Sequence, residues 1–286
     1  MNVVWCDGEW VDPGLVGPAW TDRGWLHGLG LFETMLAIDG GVAFGEAHWR
    51  RLGDGCARLG WGCPSAWEGE MAETAGELLE RNGLAQGWAR VRVAISGGSG
   101  NLGDLTPGTD RKFWMTASAL GETPNGLVVG VTRWRRNEMG PLAGLKCASY
   151  AENLVVLDEA RRLGFGETLF FNTTGNLCEA ATANVFLVRD GFLLTPSLDS
   201  GCLPGVARGV VLELARRAGI PCAEGRIQEP ELESAEEIFL TSATRGPVSV
   251  ARCGTRDLPS TAVADRLRGL WRQAAVASAG GKIPKI

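Results

Sequence analysis

Asp-Gly pairs set beside short apolar runs constrain this chain more than any other feature. Asp7-Gly8 turns a hairpin over Asn2 to Trp10, Asp39-Gly-Gly41 follows the run ending at Ile38, and Asp190-Gly191 precedes Phe192-Leu-Leu-Thr195. Such a pair accepts positive φ at both positions, which gives the tight turn of an antiparallel hairpin. Helical spacing appears between these hairpins, over Ala47 to Leu59 and Trp67 to Asn82, the second ending at Gly83. Trp88 to Ser96 alternates as a strand, with Val91, Val93 and Ile95 opposite Arg90, Arg92 and Ala94, so the two arginines share one face. Gly97 to Gly108 reads as a flexible loop and Lys112 to Ala119 as another strand. Hairpins mixed with helices predict an α+β unit.

At 286 residues the chain is long enough for two domains. Gly121-Glu-Thr-Pro-Asn-Gly126 is the best linker, which divides the chain into 1–120, a linker 121–126 and 127–286. Beyond it, Leu127 to Thr132 reads as a strand, leading through Arg133-Trp-Arg-Arg136 into a Gly/Pro loop. Lys146 lies where that loop enters a helix over Ala151 to Leu163, whose apolar positions are Leu154, Val155 and Leu157. Thr168 to Asn172 is a strand, and Leu177 through Val188 holds Glu179. Gly205 to Ala218 is a helix, Glu231 to Glu236 a short acidic one, and Glu237 to Thr241 a strand entering the turn Ser242 to Gly246. Thr261 to Ala277 closes the chain as an amphipathic helix.

The balance of charge excludes several function classes. A formal net charge of −5 argues against nucleic-acid binding, whose footprint is a basic patch. No apolar run approaches the roughly 20 residues that span a bilayer, and no export signal is visible. The eight cysteines are scattered without Cys-x-x-Cys, which reads as thiols in a reducing compartment. With only His27 and His48, no metal site is expected. The composition fits a cytoplasmic enzyme.

Three features are candidates for chemistry, each beside a plainer reading. Lys146 stands in the otherwise uncharged Gly144-Leu-Lys-Cys-Ala-Ser-Tyr150. A desolvated lysine becomes a nucleophile toward carbonyl compounds, whereas a lone lysine more often snorkels to the surface. Arg50-Arg51 reads as a solvated face or an anion site. Glycines 24, 28 and 30 lack the G-x-G-x-x-G spacing and read as close backbone approach at a turn.

Taken together, the motifs resemble the class IV aminotransferases, pyridoxal-phosphate enzymes of fold type IV. Leu145-Lys146-Cys-Ala-Ser-Tyr150 looks like that family's Schiff-base lysine, and Glu179 in Glu-Ala-Ala-Thr-Ala-Asn-Val-Phe resembles its acidic partner of the pyridine nitrogen. Leu203-Pro-Gly-Val-Ala-Arg208 and Leu240-Thr-Ser-Ala-Thr-Arg-Gly246 look like its two phosphate-binding turns. His48-Trp-Arg-Arg51-Leu52 is similar to its His-x-x-Arg-Leu element, which selects Arg51 over Arg50. The resemblance runs from about Val3 to Val250.

It implies two α/β domains, the N-terminal one smaller, with pyridoxal 5′-phosphate in the cleft between them, and a homodimer. Arg51, Lys146, Tyr150, Glu179, Gly205, Val206, Ala207, Ser242, Ala243 and Thr244 would hold the cofactor. Arg92, His27 and Phe32 would meet the substrate. Tyr150 is equally read as a donor to the cofactor or as an ordinary half-buried aromatic. Arg90 and Arg92 are equally read as facing solvent.

Three departures stand out: Leu29 replaces the acid of a Gly-Asp-Gly, Gly97 replaces the arginine of an Arg-Gly-x-Gly, and Ser242-Ala243 replaces Asn-Ser. The implied activity is transfer of an amino group between a small or branched amino acid and a 2-oxo acid. The alternative is 4-amino-4-deoxychorismate lyase, which Phe32-Glu-Thr34 and Thr-Arg-Gly246 resemble as much. A non-enzymatic binding protein is disfavoured because Lys146 and Glu179 are both intact.

Overall fold

The Asp-Gly turns form as their sequence predicts. In the computed structural model, which describes residues 3–15, 17–62, 67–123 and 126–280, φ is 51° and 97° at Asp7 and Gly8, 49° and 84° at Asp39 and Gly40, and 50° and 72° at Asp190 and Gly191. Positive φ at both positions matches the twist of an antiparallel pair. Two compact units result. One comprises the chain up to Gly121, Leu145–Tyr150 and the chain from Ala274; the other comprises Glu122–Gly144 and Ala151–Gln273. A cut at the 121–126 linker, of which residues 124 and 125 lie outside the described ones, misses the exchange of Leu145–Tyr150. That exchange is caused by backbone pairing to a strand of the first unit.

The described residues of the first unit contain β1 (Val4–Cys6), β2 (Glu9–Val11), α1 (Arg23–His27), β3 (Gly30–Ile38), β4 (Gly41–Val42), α2 (Gly45–Arg58), α3 (Trp67–Arg81), β5 (Trp88–Ser96) and β6 (Phe113–Ala119). Their strands form one sheet in the order β2-β1-β6-β5-β3-β4, antiparallel throughout. Leu31, Met35 and Ala37 of β3 point to one face with Val91 and Val93 of β5. Trp49, Leu52 and Cys56 of α2 and Ala75, Leu78 and Leu79 of α3 cover that face. The period of two in the strands thus meets the spacing of three and four in the helices.

The sequence does not predict α1. Asp22 creates it by accepting from the Gly24 N–H at 2.6 Å, an N-cap that the Ser96 hydroxyl reinforces at 2.6 Å. The loop after β5 is not slack either. Buried Arg23 donates to the carbonyls of Gly97, Gly98 and Thr106 at 2.7–3.1 Å, and also to that of Asp104. A guanidinium's five fixed donors suit such convergence of carbonyls.

The second unit holds β7 (Leu127–Arg136), α4 (Ala151–Arg162), β8 (Glu167–Asn172), β9 (Leu177–Ala180), β10 (Asn184–Arg189), β11 (Phe192–Pro196), α5 (Val206–Arg217), β12 (Cys222–Gly225), α6 (Glu229–Ser234), β13 (Glu237–Ser242), β14 (Gly246–Cys253) and β15 (Arg256–Asp257). Helix α7 (Ala262–Ser278) ends the described chain. Among the described residues the sheet order is β12-β11-β10-β13-β14-β7-β8-β9, with β15 on β14; β7 is parallel to both β14 and β8. Leu177 to Val188 spans two strands, β9 and most of β10, with Ala180 N–H bonding back to Ala183 O at 2.7 Å between them. Helix α4 buries Asn153, Val156, Leu157 and Ala160, leaving Leu154 and Val155 exposed. The Asn153 amide donates to Ala181 O at 2.6 Å and fixes that face against the apolar preference of its neighbours.

One charged group interrupts the apolar face of β3. Glu33 is fully buried; its Oε1 accepts from Arg51 Nε and its Oε2 from Arg51 Nη2, each at 2.7 Å, and His48 Nδ1 lies 2.7 Å from Oε2. Burial alone would raise the Glu33 carboxyl. The Arg51 guanidinium and the hydrogen bonds from His48 and Arg51 outweigh it and hold the group at about 2. Burial pushes His48 down despite Glu33, so the ring is neutral at pH 7 and donates from Nδ1. A carboxyl depressed in the folded state stabilises fully above its ordinary pKa and loses that contribution as pH falls toward the depressed value. Between pH 6 and pH 3 the loss assigned to Glu33 is about 2 kcal/mol. Urea unfolding across that window should show a steeper loss of stability in the wild type than in Glu33→Gln. Equal slopes would remove Glu33 from the acid response.

Candidate active site

Lys146 is placed by backbone pairing, not by a helix start. Phe32 N–H donates to Lys146 O at 3.0 Å and Ala148 N–H to Gly30 O at 2.7 Å, with a bridge between Leu31 and Cys147. The segment Leu145–Tyr150 therefore runs along the part of β3 that β4 does not cover. Glycines make the approach possible. A Cβ on Gly28, whose φ is 67°, would meet Ser149 Oγ at 2.7 Å, and one on Gly30 would meet Ile95 O at 2.8 Å.

Side chains alternate along β3, so Phe32 points away from the core face that Glu33 occupies. Around the buried Phe32 ring the structure gathers three of the expected site residues. Lys146 Nζ lies 4.4 Å from the ring centroid, the Arg92 guanidinium 4.2 Å, and the Tyr150 ring packs edge-on at 5.5 Å. Both cations lie in the range for attraction by an aromatic face. The Arg92 guanidinium thus lies over the Phe32 ring while the residue stays exposed, as does Arg90 on the same face of β5. His27, the last residue of α1, is exposed. Arg51 directs Nε and Nη2 at Glu33, which anchors its guanidinium to β3.

The second unit builds a separate set of groups at one end of its sheet. Glu179 on β9 is largely buried; its Oε2 accepts from Leu203 N–H at 2.9 Å and its Oε1 lies 3.6 Å from Arg136 Nη2. Leu203 begins the turn into α5. Asn184 at the start of β10 donates to Leu203 O at 2.9 Å, and a Cβ on Gly205 would fall 2.0 Å from Asn184 Oδ1. A side chain here would displace the Asn184 amide. Gly205 caps α5 with no side-chain bond to the first-turn N–H groups, so the N–H groups beginning at Val206 and Ala207 provide a helix N-terminus suited to an anion. Asn184 also pairs in register with Thr241, which sets Ser242, Ala243 and Thr244 beside the first turn. Ser242 Oγ accepts from Arg245 Nε at 3.3 Å.

Each donor set offers groups of a kind that pyridoxal phosphate needs. One unit carries an amine beside an aromatic ring, a phenol and an arginine; the other carries a shielded carboxylate and a turn that a Cβ would fill. Sequence reasoning does not reach three supporting residues: Glu33, Asn184 and Arg136. Their signals are a glutamate at a core position of β3, a residue opposite a glycine turn, and an arginine closing a strand. None is visible without the pairing.

The family model described as Amino-transferase class IV matches residues 30–253. A branched-chain-amino-acid aminotransferase of Salmonella typhimurium is 27% identical over 86% of this chain and 84% of its own length. An aminodeoxychorismate lyase of Bacillus subtilis is 28% identical over 78% and 76%. A hypothetical aminotransferase from Mycobacterium tuberculosis, solved in its PLP-bound form, superposes with a TM-score of 0.85 at 26% identity, covering 96% of this chain and 99% of that one. The family uses pyridoxal phosphate, and its fold, type IV, has a smaller N-terminal and a larger C-terminal sheet of mixed α/β character. The chain belongs to the class IV aminotransferase family and is an enzyme of that pyridoxal-phosphate-dependent aminotransferase and lyase group.

Proposed function

We propose that this enzyme transfers an amino group between a small or branched amino acid and a 2-oxo acid, with Lys146 as the residue that carries the cofactor. The observation behind the reading is that Lys146 Nζ and the Arg92 guanidinium lie on one aromatic ring, Phe32. A planar guanidinium matches a carboxylate, so an amino acid held by Arg92 presents its amine near Lys146. When bound, pyridoxal phosphate supplies an electron sink for charge developed at the substrate's α-carbon.

The chain's own groups do the rest. Lys146 moves a proton at Nζ, Tyr150 donates to the cofactor's phenolic oxygen, and Glu179 keeps the ring nitrogen protonated. Gly205 to Ala207, Ser242 to Thr244 and Arg51 bind the phosphate. His27 and Phe32 bound the substrate. A homodimer and a reducing, cytoplasmic setting belong to the same reading; thiols at Cys6, Cys178, Cys202, Cys222 and Cys253 support the setting. Among the described residues no helix is long and apolar enough to cross a membrane.

Lyase action on 4-amino-4-deoxychorismate is the second reading, favoured by the Bacillus subtilis relative. Pure enzyme offered branched amino acids with 2-oxoglutarate, and separately 4-amino-4-deoxychorismate, distinguishes the two. Amino transfer is expected. Release of 4-aminobenzoate without transfer would replace this reading by the second. In the transferase, Arg92→Lys should raise KM for the amino acid roughly tenfold or more while cofactor affinity holds. An unchanged KM would return Arg92 to a structural role.

Borohydride treatment of the loaded enzyme followed by peptide mapping should place the pyridoxyl label on Lys146; a label elsewhere removes Lys146 from the mechanism. Glu179→Gln should retain the cofactor yet lose about 100-fold or more in kcat. Near-normal turnover would mean that another group partners the ring nitrogen.

A further inference from the structure

We propose that Arg136 is a positioning residue that holds Glu179 ionised and in place, and thereby sets the protonation of the cofactor's ring nitrogen. The inference rests on the reading of Glu179 as partner of that nitrogen.

Arg136 is the last residue of β7 and its side chain is largely buried, at 13% exposure. Two elements fix it. The guanidinium lies over the Phe170 ring of β8 at 4.3 Å, and Nη1 donates to Glu152 Oε2 at 3.0 Å and more weakly to Asn153 Oδ1 at 3.4 Å, both on α4. Nη2 lies 3.6 Å from Glu179 Oε1, and neither Nε nor Nη2 makes a hydrogen bond. A guanidinium recruited only to join β7 to α4 would spend its buried N–H groups. This one keeps two unspent while aiming its charge at a carboxylate.

The surroundings make that charge effective. Glu152 is about half exposed, so water screens its pairing with Arg136, whereas Glu179 is as shielded as Arg136 itself. The thiols next to Glu179 do not compete. Burial pushes Cys178 strongly up and Cys202 up to about 11, so both are neutral at pH 7. The Leu203 N–H holds Oε2, and Arg136 faces Oε1. One oxygen is thus fixed by a hydrogen bond and the other by a charge.

A cation at this distance favours the carboxylate over the acid. A proton shared between Glu179 and a ring nitrogen then resides on the nitrogen. Without Arg136 the partition moves back toward Glu179 by roughly tenfold or more.

The test uses holoenzyme loaded with pyridoxal phosphate labelled with 15N in the ring, read by 15N NMR at fixed pH. Wild type should give the shift of a protonated ring nitrogen. Arg136→Met should move the signal toward unprotonated pyridine and lower kcat roughly tenfold or more, with cofactor affinity nearly unchanged. Arg136→Lys, which keeps the charge, should restore most of the protonated signal. Arg133→Met, at an exposed position of the same strand, should leave it unmoved. A wild-type signal in Arg136→Met overturns the proposal. If that variant does not fold, Arg136→Lys decides: cofactor bound with the protonated signal lost overturns it equally, and the signal kept supports it. An unprotonated ring already in the wild type would instead refute the role given to Glu179, and with it this one.

Discussion

The candidate chemistry depends on one backbone interaction: the pairing of Leu145–Tyr150 onto the uncovered stretch of β3. Two hydrogen bonds, Phe32 N to Lys146 O and Ala148 N to Gly30 O, decide which way every side chain in the segment points. Adjacent residues of an extended segment face opposite sides. Cys147 therefore packs against the core of the first unit while Lys146 turns to Phe32. A shift by one residue would bury the lysine and expose the cysteine. Gly28 and Gly30 permit the approach, since any Cβ there would strike Ser149 or the β5 backbone.

Two buried carboxylates show how similar parts serve different ends. Glu33 is closed off by a two-pronged arginine and a neutral histidine, and its full set of bonds ties α2 to β3. Burial without those partners would be strongly unfavourable. Around Glu179, Oε2 accepts from Leu203 N–H at 2.9 Å and Oε1 lies 3.6 Å from Arg136 Nη2. The contrast also restrains the role of Arg51. Half of its fork is committed within the protein, so an anion meets a guanidinium whose charge Glu33 already offsets.

Much of this was legible from sequence wherever local chemistry dominates. Asp-Gly turns, the alternating β5 and the α3 helix ending at Gly83 depend on φ preference and periodicity, and they sit where the pattern puts them. The failures lie where tertiary contacts override pattern. Leu154 and Val155 supply the helical spacing of α4, yet both are exposed, while Asn153, bonded to Ala181 O, is buried with Val156 and Leu157. Helix α1 is five residues long and exists because Asp22 caps it. Lys146 and Glu179 were marked by motif, but the motif could not reveal Arg136, whose meaning arises only when β7, β8 and α4 converge on its guanidinium.

Leu29 and Gly97 depart from the family pattern at positions far apart in sequence, and in the fold they are one feature. Gly97 N–H donates to Leu29 O at 2.8 Å, and a Cβ on Gly97 would lie 2.9 Å from Leu29 Cδ2 and 3.0 Å from its Cγ. A leucine at 29 in this rotamer excludes any side chain at 97. The chain thus replaces an acid and an arginine together, so the local charge balance is kept while two polar groups give way to an apolar contact. The loop that follows is organised from within instead, by Arg23 gathering the carbonyls of Gly97, Gly98, Asp104 and Thr106. A Cβ on Gly100 would meet that guanidinium at 2.5 Å. A side chain restored at 97 alone would strike Leu29, so positions 29 and 97 are coupled by packing.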